Sequence, residues 1–268
     1  ALTYGCCPIE CVGLSVSAWL LMKNKLVCGR SLVLSCEHAS HRIPTAWRTH
    51  FVKQSHKLQT HHGWDPGALE LAQRLASELQ APLHHTEWSR LLCDCNRDED
   101  HPEVFSTAIQ ALPGEKKQSI LQQYHRPFRH QVEQQISDCI QRNANGVFHL
   151  SLHSFTPRLK GQLRNCELGV MFDSRVAGEK KLAEELALHL AGVDRHFRVR
   201  MNYPYVGRET YFQPALRQKF TRSEYLGLQL EVNQKLPLRQ KARWQRLQRA
   251  LVEFFRSAPQ REKSNPKA

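Results

Sequence analysis

The sequence predicts an α/β protein: a three-layer α/β/α arrangement around a mostly parallel, mixed central sheet. Short apolar runs typical of buried strands alternate with longer segments whose apolar residues recur at helical spacing. Ionisable residues stand at the ends of several of these runs, where open α/β folds place their chemistry. The length of 268 residues suits one large domain with a full core, and we expect a single catalytic domain over residues 22–258.

Composition limits the kinds of partner. No run of eighteen or more apolar residues is present, so no membrane span is expected. The formal charge is +13, but the basic residues are spread along the chain without the aromatic interleaving of single-strand binders. This pattern disfavours nucleic acid and favours a small anionic substrate. The nine cysteines are irregularly spaced, which favours a reducing cytoplasm over a disulfide framework.

The two ends of the chain are expected to lie outside the domain. Residues 1–21 precede Met22 and are predicted to be a disordered leader or a misassigned start. Export is disfavoured, because no basic segment comes before the apolar stretch at residues 12–21. Residues 259–268 are predicted to form a disordered basic tail.

The first strand pattern runs directly into ionisable residues. The segment SLVLSCEHASHRIP, residues 31–44, begins as a buried strand and continues into Glu37, His38 and His41. A buried strand has no structural use for these three residues in such close order. We therefore expect them to bind something.

Asp65 stands just before the first predicted helix, residues 68–79. A polar connector over residues 46–58 and the motif HHGWDPG precede this helix, with Pro66 at a first-turn position. One interpretation of Asp65 is an N-cap, and the other is a metal ligand. The two are compatible.

A second strand, residues 82–87, leads into WSRLLCDCNR, residues 88–97. If this segment is extended, alternate residues point to the same side. Arg97 beside Asn96 offers a planar fork and an amide, which suit a bound carboxylate. We expect Asp94 to form an internal ion pair with either Arg90 or Arg97.

The rest of the chain completes the alternation of strands and helices. The strand at residues 146–155 places His149, Ser151 and His153 on one face, with His153 at its carboxyl end and Ser154 next. The loop at residues 202–211, which contains Tyr205 and Arg208, is typical of a pocket lining. The other predicted elements are a loop at 106–114, helices at 116–143, 178–190 and 237–256, and strands at 167–172, 197–201 and 225–232, the last of which carries Glu231.

Histidines and carboxylates at separate strand ends are typical of hydrolytic zinc sites. Three protein ligands hold the ion there, and a fourth position stays open for water. The ion lowers the pKa of that water to about 7, and a nearby glutamate transfers its proton to the leaving group. For His38 and His153 to share an ion, their imidazoles must lie within about 5 Å of each other.

The motifs CEHASHRIP, HHGWDPGALELA, SRLLCDCNR, HLSLHSFTP, NYPYVG and LGLQLEVNQ occur in this order. Together they resemble the N-formylglutamate amidohydrolase family over residues 31–237. That family is similar to the zinc carboxypeptidases and shares their three-layer architecture. The resemblance implies a metal-dependent hydrolase, with Zn²⁺ as the divalent ion, that converts N-formylglutamate and water to formate and glutamate.

The same resemblance implies His38 and His153 as metal ligands and Glu231 as the general base. The carboxypeptidase pattern has a glutamate where this sequence has His41, so the third ligand is open among Glu37, His41 and Asp65. Asp65 is preferred, because Glu37 points away from His38 if the strand geometry persists.

For the substrate, the resemblance implies that Arg97 and Asn96 bind the α-carboxylate and that Arg90 or Arg208 binds a side-chain carboxylate. Ser154 and Tyr205 are further candidates for substrate binding. A related N-acyl amino acid hydrolase or a carboxypeptidase-type peptidase is the nearest alternative. A non-catalytic binding protein of the same fold is the other, because position 41 lacks the glutamate.

Overall fold

The computed structural model describes residues 26–27, 29–205 and 212–257. The predictions for the leader at residues 1–21, the tail at 259–268 and Arg208 lie outside the described residues. Of the helices in the described ranges, none is both long enough and apolar enough to span a lipid bilayer.

The strands of the described chain are β1 (Leu26–Val27), β2 (Arg30–Cys36), β3 (Leu83–His85), β4 (Val147–Phe155), β5 (Arg158–Leu159), β6 (Gln162–Leu163), β7 (Leu168–Met171), β8 (Val199–Met201) and β9 (Tyr225–Asn233). Strands β5 and β6 form a separate hairpin, and the other seven form one mixed sheet with the order β1-β2-β4-β9-β7-β8, in which β3 also pairs with β2. The pairs β2–β3, β2–β4, β4–β9 and β7–β8 are parallel, whereas β1–β2 and β7–β9 are antiparallel. The predicted mostly parallel, mixed sheet is confirmed.

Helices flank this sheet, as the alternating pattern predicts. They are α1 (Ser55–Leu58), α2 (Ala68–Leu79), α3 (Thr107–Gln110), α4 (Gly114–Ile120), α5 (Arg126–Arg142), α6 (Ala177–Val193), α7 (Phe212–Lys219), α8 (Lys235–Arg239) and α9 (Lys241–Ser257). A 3₁₀ helix (Thr45–Gln54) precedes α1, and a π-helical turn (Leu121–His125) joins α4 to α5.

The two faces of the sheet differ in chemistry. One face is apolar along its length, and residues such as Leu150 and Leu228 pack there against α2, α6 and α9. The other face packs against α5 and α7 only near the amino ends of the strands, through Val33, Val147 and Tyr225. Towards the carboxyl ends the same face carries buried polar side chains: Ser35, Glu37, His149, Ser151, His153, Gln229 and Glu231.

Four local predictions are wrong. Residues 88–97 are not extended: the Leu92 amide donates to the Ser89 carbonyl, and the Asp94 carboxylate accepts the Asn96 amide in an Asx turn. The helix expected at residues 116–143 begins at Gly114 and is interrupted by the π-helical turn. The polar connector at residues 46–58 is helical, and the loop expected at residues 106–114 contains α3.

Candidate active site

Three separate segments bring His38, Asp65 and His153 together. His38 follows β2, Asp65 lies in the turn before α2, and His153 is near the carboxyl end of β4. The Asp65 amide donates to the His38 carbonyl at 2.9 Å, and its carboxylate accepts the Ser154 amide at 3.1 Å. These bonds tie the Asp65 turn to both strands.

Asp65 does not cap the helix. Helix α2 begins at Ala68, and Gly67, with a φ of +86°, occupies the N-cap position without a side-chain hydrogen bond. The N-cap interpretation of Asp65 is therefore wrong, because its carboxylate turns towards the sheet and meets the two histidines.

The three side chains present ligand atoms to one point. Nδ1 of His153 lies 3.1 Å from Nδ1 of His38 and 2.9 Å from Oδ2 of Asp65, and the third distance, His38 Nδ1 to Asp65 Oδ2, is 3.4 Å. The imidazole centroids are 4.7 Å apart, so the expected proximity of His38 and His153 is confirmed. Atoms bound tetrahedrally to one zinc at about 2.0–2.1 Å stand about 3.3–3.4 Å apart. The group therefore fits a single divalent ion.

Each of these histidines has a carboxylate at its other ring nitrogen. Nε2 of His38 lies 2.7 Å from Asp94, and Nε2 of His153 lies 2.9 Å from Glu37, a close contact that is not aligned as a hydrogen bond. An ionised carboxylate can only accept, so Nε2 carries a proton in both rings, and Nδ1 is the nitrogen left for a ligand bond. Glu37 thus lies behind His153, outside the three-residue group.

The charges around the group favour a cation. Burial raises the pKa of Asp65, but the neighbouring His38 and His153 outweigh it and hold that pKa well below its usual range. For Asp94, Arg90 and His38 outweigh burial in the same way. Burial lowers the pKa of His153, yet Asp65 and Glu37 raise it well above its usual value. The proton that His153 gains competes with a metal ion for the same nitrogen.

A chain of hydrogen bonds extends from Glu37 into the interior. Ser35 and Ser151 donate to its carboxylate at 2.5 and 2.7 Å, and the His149 ring lies 2.8 Å from the Ser35 hydroxyl and 2.8 Å from the Tyr225 hydroxyl. Burial raises the pKa of Glu37, but His153 and then Ser35 outweigh it and lower the pKa to about 2. His149 is fully buried within β4.

Glu231 faces the group from the next strand. It is the register partner of His153 in the β4–β9 pair and is 3% exposed. Its Oε1 accepts the Gln229 amide at 2.9 Å, whereas Oε2 has no hydrogen-bond partner among the described residues. Burial, with a smaller contribution from Asp65, raises its pKa to about 7 against the opposing effect of His153. A carboxyl with this pKa can take up and release a proton near neutral pH.

The expected ion pair of Asp94 forms mainly with Arg90. Nη2 of Arg90 donates to Asp94 at 2.6 Å, and its Nη1 lies 3.1 Å from Nδ1 of His38. Arg97 is 4.0 Å from Asp94 and 3.3 Å from Glu103. Asn96 accepts the Phe212 amide with its Oδ1 at 3.1 Å.

One cavity of about 110 Å³ collects these side chains. It is lined by every predicted site residue that the structure describes except Glu37 and His41: His38, Asp65, Arg90, Asn96, Arg97, His153, Ser154, Tyr205 and Glu231. His41, the remaining candidate ligand, is exposed and packs against Trp64, with ring centroids 5.2 Å apart.

Sequence reasoning missed Arg164 and His61, which also line the cavity. His61 begins the HHGWDPG motif but is not among the expected site residues, and the hairpin β5–β6 that precedes Arg164 is not predicted at all. Lys160 and Gly161 both have positive φ, at 47° and 79°. A Gly-containing two-residue turn of this kind is the hairpin signal that could have revealed it.

Known proteins resemble this chain in sequence and in fold. The family model for N-formylglutamate amidohydrolase matches residues 30–238. The solved structure of gene product Atu2144 from Agrobacterium tumefaciens is similar, with a TM-score of 0.73 and 26% identity, covering 85% of this chain and 89% of that one. N-formylglutamate amidohydrolase from Ralstonia eutropha JMP134 shares the fold, with a TM-score of 0.65 and 18% identity, covering 87% and 93%.

A search of curated proteins finds no match to the sequence. The family model nonetheless covers most of the chain, including the strands and turns that carry His38, Asp65, His153 and Glu231. The chain therefore belongs to the N-formylglutamate amidohydrolase family.

Proposed function

We propose that this protein is a metal-dependent amidohydrolase that cleaves the N-formyl or N-acyl amide of an acidic amino acid. The proposed reaction converts N-formylglutamate and water to formate and glutamate. The observation that carries the proposal is the group of His38, Asp65 and His153 facing Glu231, whose pKa is raised to about 7. Family membership supports an amidohydrolase, and the geometry supports its dependence on a metal.

His38, Asp65 and His153 would hold the ion, which we propose to be Zn²⁺ because two imidazoles and one carboxylate are a donor set that zinc accepts. When bound, the ion polarises the amide carbonyl and lowers the pKa of water to about 7. Asp94 and Glu37 keep the two imidazoles in the tautomer that leaves Nδ1 for the ion.

Glu231 acts as the general base. Its carboxylate takes a proton from the attacking water and delivers it to the leaving nitrogen of the amino acid, so that the amine departs as a neutral group. Oε2, which has no hydrogen-bond partner in the described chain, is the oxygen free to do so. Burial of Glu231 raises its pKa to about 7, so that it can exchange a proton near neutral pH.

The substrate carboxylates are matched to arginines. Arg97 and Asn96 line the cavity and are proposed to bind the α-carboxylate, with Ser154 and Tyr205 near the scissile amide. Arg90 is held by Asp94, so its guanidinium is already partly neutralised beside His38. Its Nη1, which is not bonded to Asp94, can donate a hydrogen bond to the carbonyl oxygen as negative charge develops there.

The test is a screen of N-formyl and N-acetyl amino acids with metal-loaded protein, following release of the free amine. We expect N-formylglutamate to be hydrolysed. Glu231→Gln is expected to retain the metal and to lose about 10²- to 10⁴-fold in kcat, the usual contribution of a general base. Glu253→Gln, on the exposed face of α9, is the matched control and should keep the wild-type rate.

Two results would contradict the proposal. A full rate in Glu231→Gln means that the assigned base is wrong. No turnover of any N-acyl amino acid by wild-type protein that holds its metal means that the chain binds without catalysis.

A related hydrolase or a carboxypeptidase-type peptidase is the second candidate. A larger depression of about 510 Å³ shares Arg90, Arg97 and Leu159 with the cavity. That space favours a longer substrate than a formyl amino acid. Including N-acetyl amino acids and short acidic peptides in the same screen distinguishes the two candidates.

We also infer a reducing compartment such as the cytoplasm. Cys36, Cys93, Cys95, Cys139 and Cys166 are buried and form no disulfide among the described residues, which supports this location.

A further inference from the structure

Arg164 differs from the other two arginines that line the cavity. Arg90 donates to Asp94 at 2.6 Å, and Arg97 lies 3.3 Å from Glu103. Arg164 has no carboxylate within ion-pair distance among the described residues, and its buried Nη1 has no hydrogen-bond partner there. A buried donor without a partner is unfavourable, and a ligand that accepts its hydrogen bond offsets that cost.

The Arg164 side chain is nevertheless held in place. Its backbone amide donates to the Pro157 carbonyl at 2.8 Å, and its own carbonyl accepts Asn233 at 3.1 Å. The guanidinium lies over the rings of Phe155 and Tyr205, with 5.8 and 5.5 Å from its carbon to the ring centroids. Stacking of this type fixes a guanidinium without neutralising its charge.

We propose that Arg164 binds the side-chain carboxylate of the substrate and thereby selects acidic over neutral N-acyl amino acids. This inference rests on the proposed function, in which the substrate carries two carboxylates. Arg97 and Asn96 serve the α-carboxylate, and Arg90 is bonded to Asp94 beside His38. Arg164 is the remaining guanidinium of the described cavity, and it is the one whose charge no carboxylate offsets.

The experiment measures binding without turnover. Glu231→Gln protein loaded with zinc is titrated with L-glutamate and with L-glutamine by calorimetry. Adding Arg164→Met is expected to weaken glutamate binding by about 10- to 100-fold, the effect of a charge-assisted hydrogen bond. Glutamine binding should stay within about threefold, since a neutral amide gains less from the guanidinium.

Arg158→Met is the matched control, because Arg158 is exposed on the same hairpin and donates to the Gly161 carbonyl. It should leave both affinities unchanged. If Arg164→Met does not fold, Arg164→Lys is expected to lower glutamate affinity at least about threefold, with glutamine unchanged, because lysine lacks the planar fork.

Unchanged glutamate affinity overturns the inference, and so does an equal loss for glutamate and glutamine. These outcomes are separate from the fate of the proposed function. If the wild-type protein hydrolyses N-formylglutamate while Arg164→Met keeps its preference for glutamate, the function stands and the role of Arg164 fails. If the wild type hydrolyses no N-acyl amino acid but Arg164→Met selectively weakens glutamate binding, the role of Arg164 stands and the proposed function fails.

Discussion

The neighbours of each buried histidine decide its chemical character. His149 and His153 lie on the same face of β4, and both are buried. Asp65 and Glu37 raise the pKa of His153 against the effect of burial, whereas burial lowers the pKa of His149 to about 4. His153 is therefore suited to bind a cation, and His149 is a neutral link between the Ser35 and Tyr225 hydroxyls.

The low pKa of His149 predicts a specific loss of stability in mild acid. The unfolded chain takes up a proton near pH 6.5, but the folded protein does so only near pH 4, so the unfolded state binds more protons between these values. The free energy of unfolding should fall by roughly 3 kcal/mol as the pH drops through this window. The contribution of His149 to stability should be fully present above pH 6.5.

Urea denaturation of metal-free protein from pH 4 to pH 8 measures this slope. His149→Gln retains a donor and an acceptor for Ser35 and Tyr225 but has no titrating group, so its profile should be flatter than that of the wild type. Equal slopes for the two proteins would show that His149 does not carry the effect.

Among the elements, those with a local burial pattern could be predicted from the sequence. The apolar runs and alternations locate β2, β4, β7 and β9, and the helical spacings locate α2, α5, α6 and α9. The same reasoning brings His38, His153 and Glu231 to one edge, because the carboxyl ends of neighbouring parallel strands meet there.

The parts of the site that the sequence could not predict depend on contacts between distant segments. Asp94 reaches His38 because an Asx turn replaces the extended backbone expected at residues 88–97. Arg164 reaches the cavity through a hairpin only two residues long on each side. Asp65 turns away from its own helix because the Ser154 amide binds it. None of these partners has a periodic signal in the sequence.

Gly169 on β7 shows how tightly the elements pack behind Glu231. A Cβ at this position would stand 1.7 Å from the Tyr203 carbonyl oxygen and 3.3 Å from Cβ of Glu231, its register partner. Gly169→Ala should therefore lower the free energy of unfolding by about 1–3 kcal/mol or more, the cost of overpacking. Chemical denaturation at constant pH measures this change.

Gly192 in α6 is the matched control, since no heavy atom lies within 4 Å of a Cβ built there. Gly192→Ala should raise the free energy of unfolding by about 0.5–1 kcal/mol, because alanine is the better helix former. A Gly169→Ala protein as stable as the wild type would mean that the Tyr203 backbone can move aside without lowering the free energy of unfolding.

At the scale of the whole molecule, a bound ion would join segments that are far apart in sequence. His38 directly follows β2, Asp65 lies in the turn before α2, and His153 lies within β4. Zinc that binds only the folded form at 100 times its Kd stabilises the protein by about 2.7 kcal/mol. For a chain of this size we expect a rise in Tm of about 5–10 °C.

Thermal unfolding with zinc, compared with unfolding in a chelator, tests this expectation. His153→Ala should abolish the shift, and Glu253→Gln, whose side chain is exposed on α9, should keep it. An equal shift in His153→Ala would place the stabilising ion elsewhere among the 15 histidines of the chain.

The two faces of β4 differ so much in polarity that this strand can adopt only one register in the sheet. Phe148, Leu150 and Leu152 belong to the apolar layer, and His149, Ser151 and His153 alternate with them. Deleting a single residue before His149 would exchange the two sets, burying imidazoles in hydrocarbon and directing leucines towards Glu37. We therefore expect insertions and deletions to be tolerated in loops such as the β5–β6 turn but not within β4.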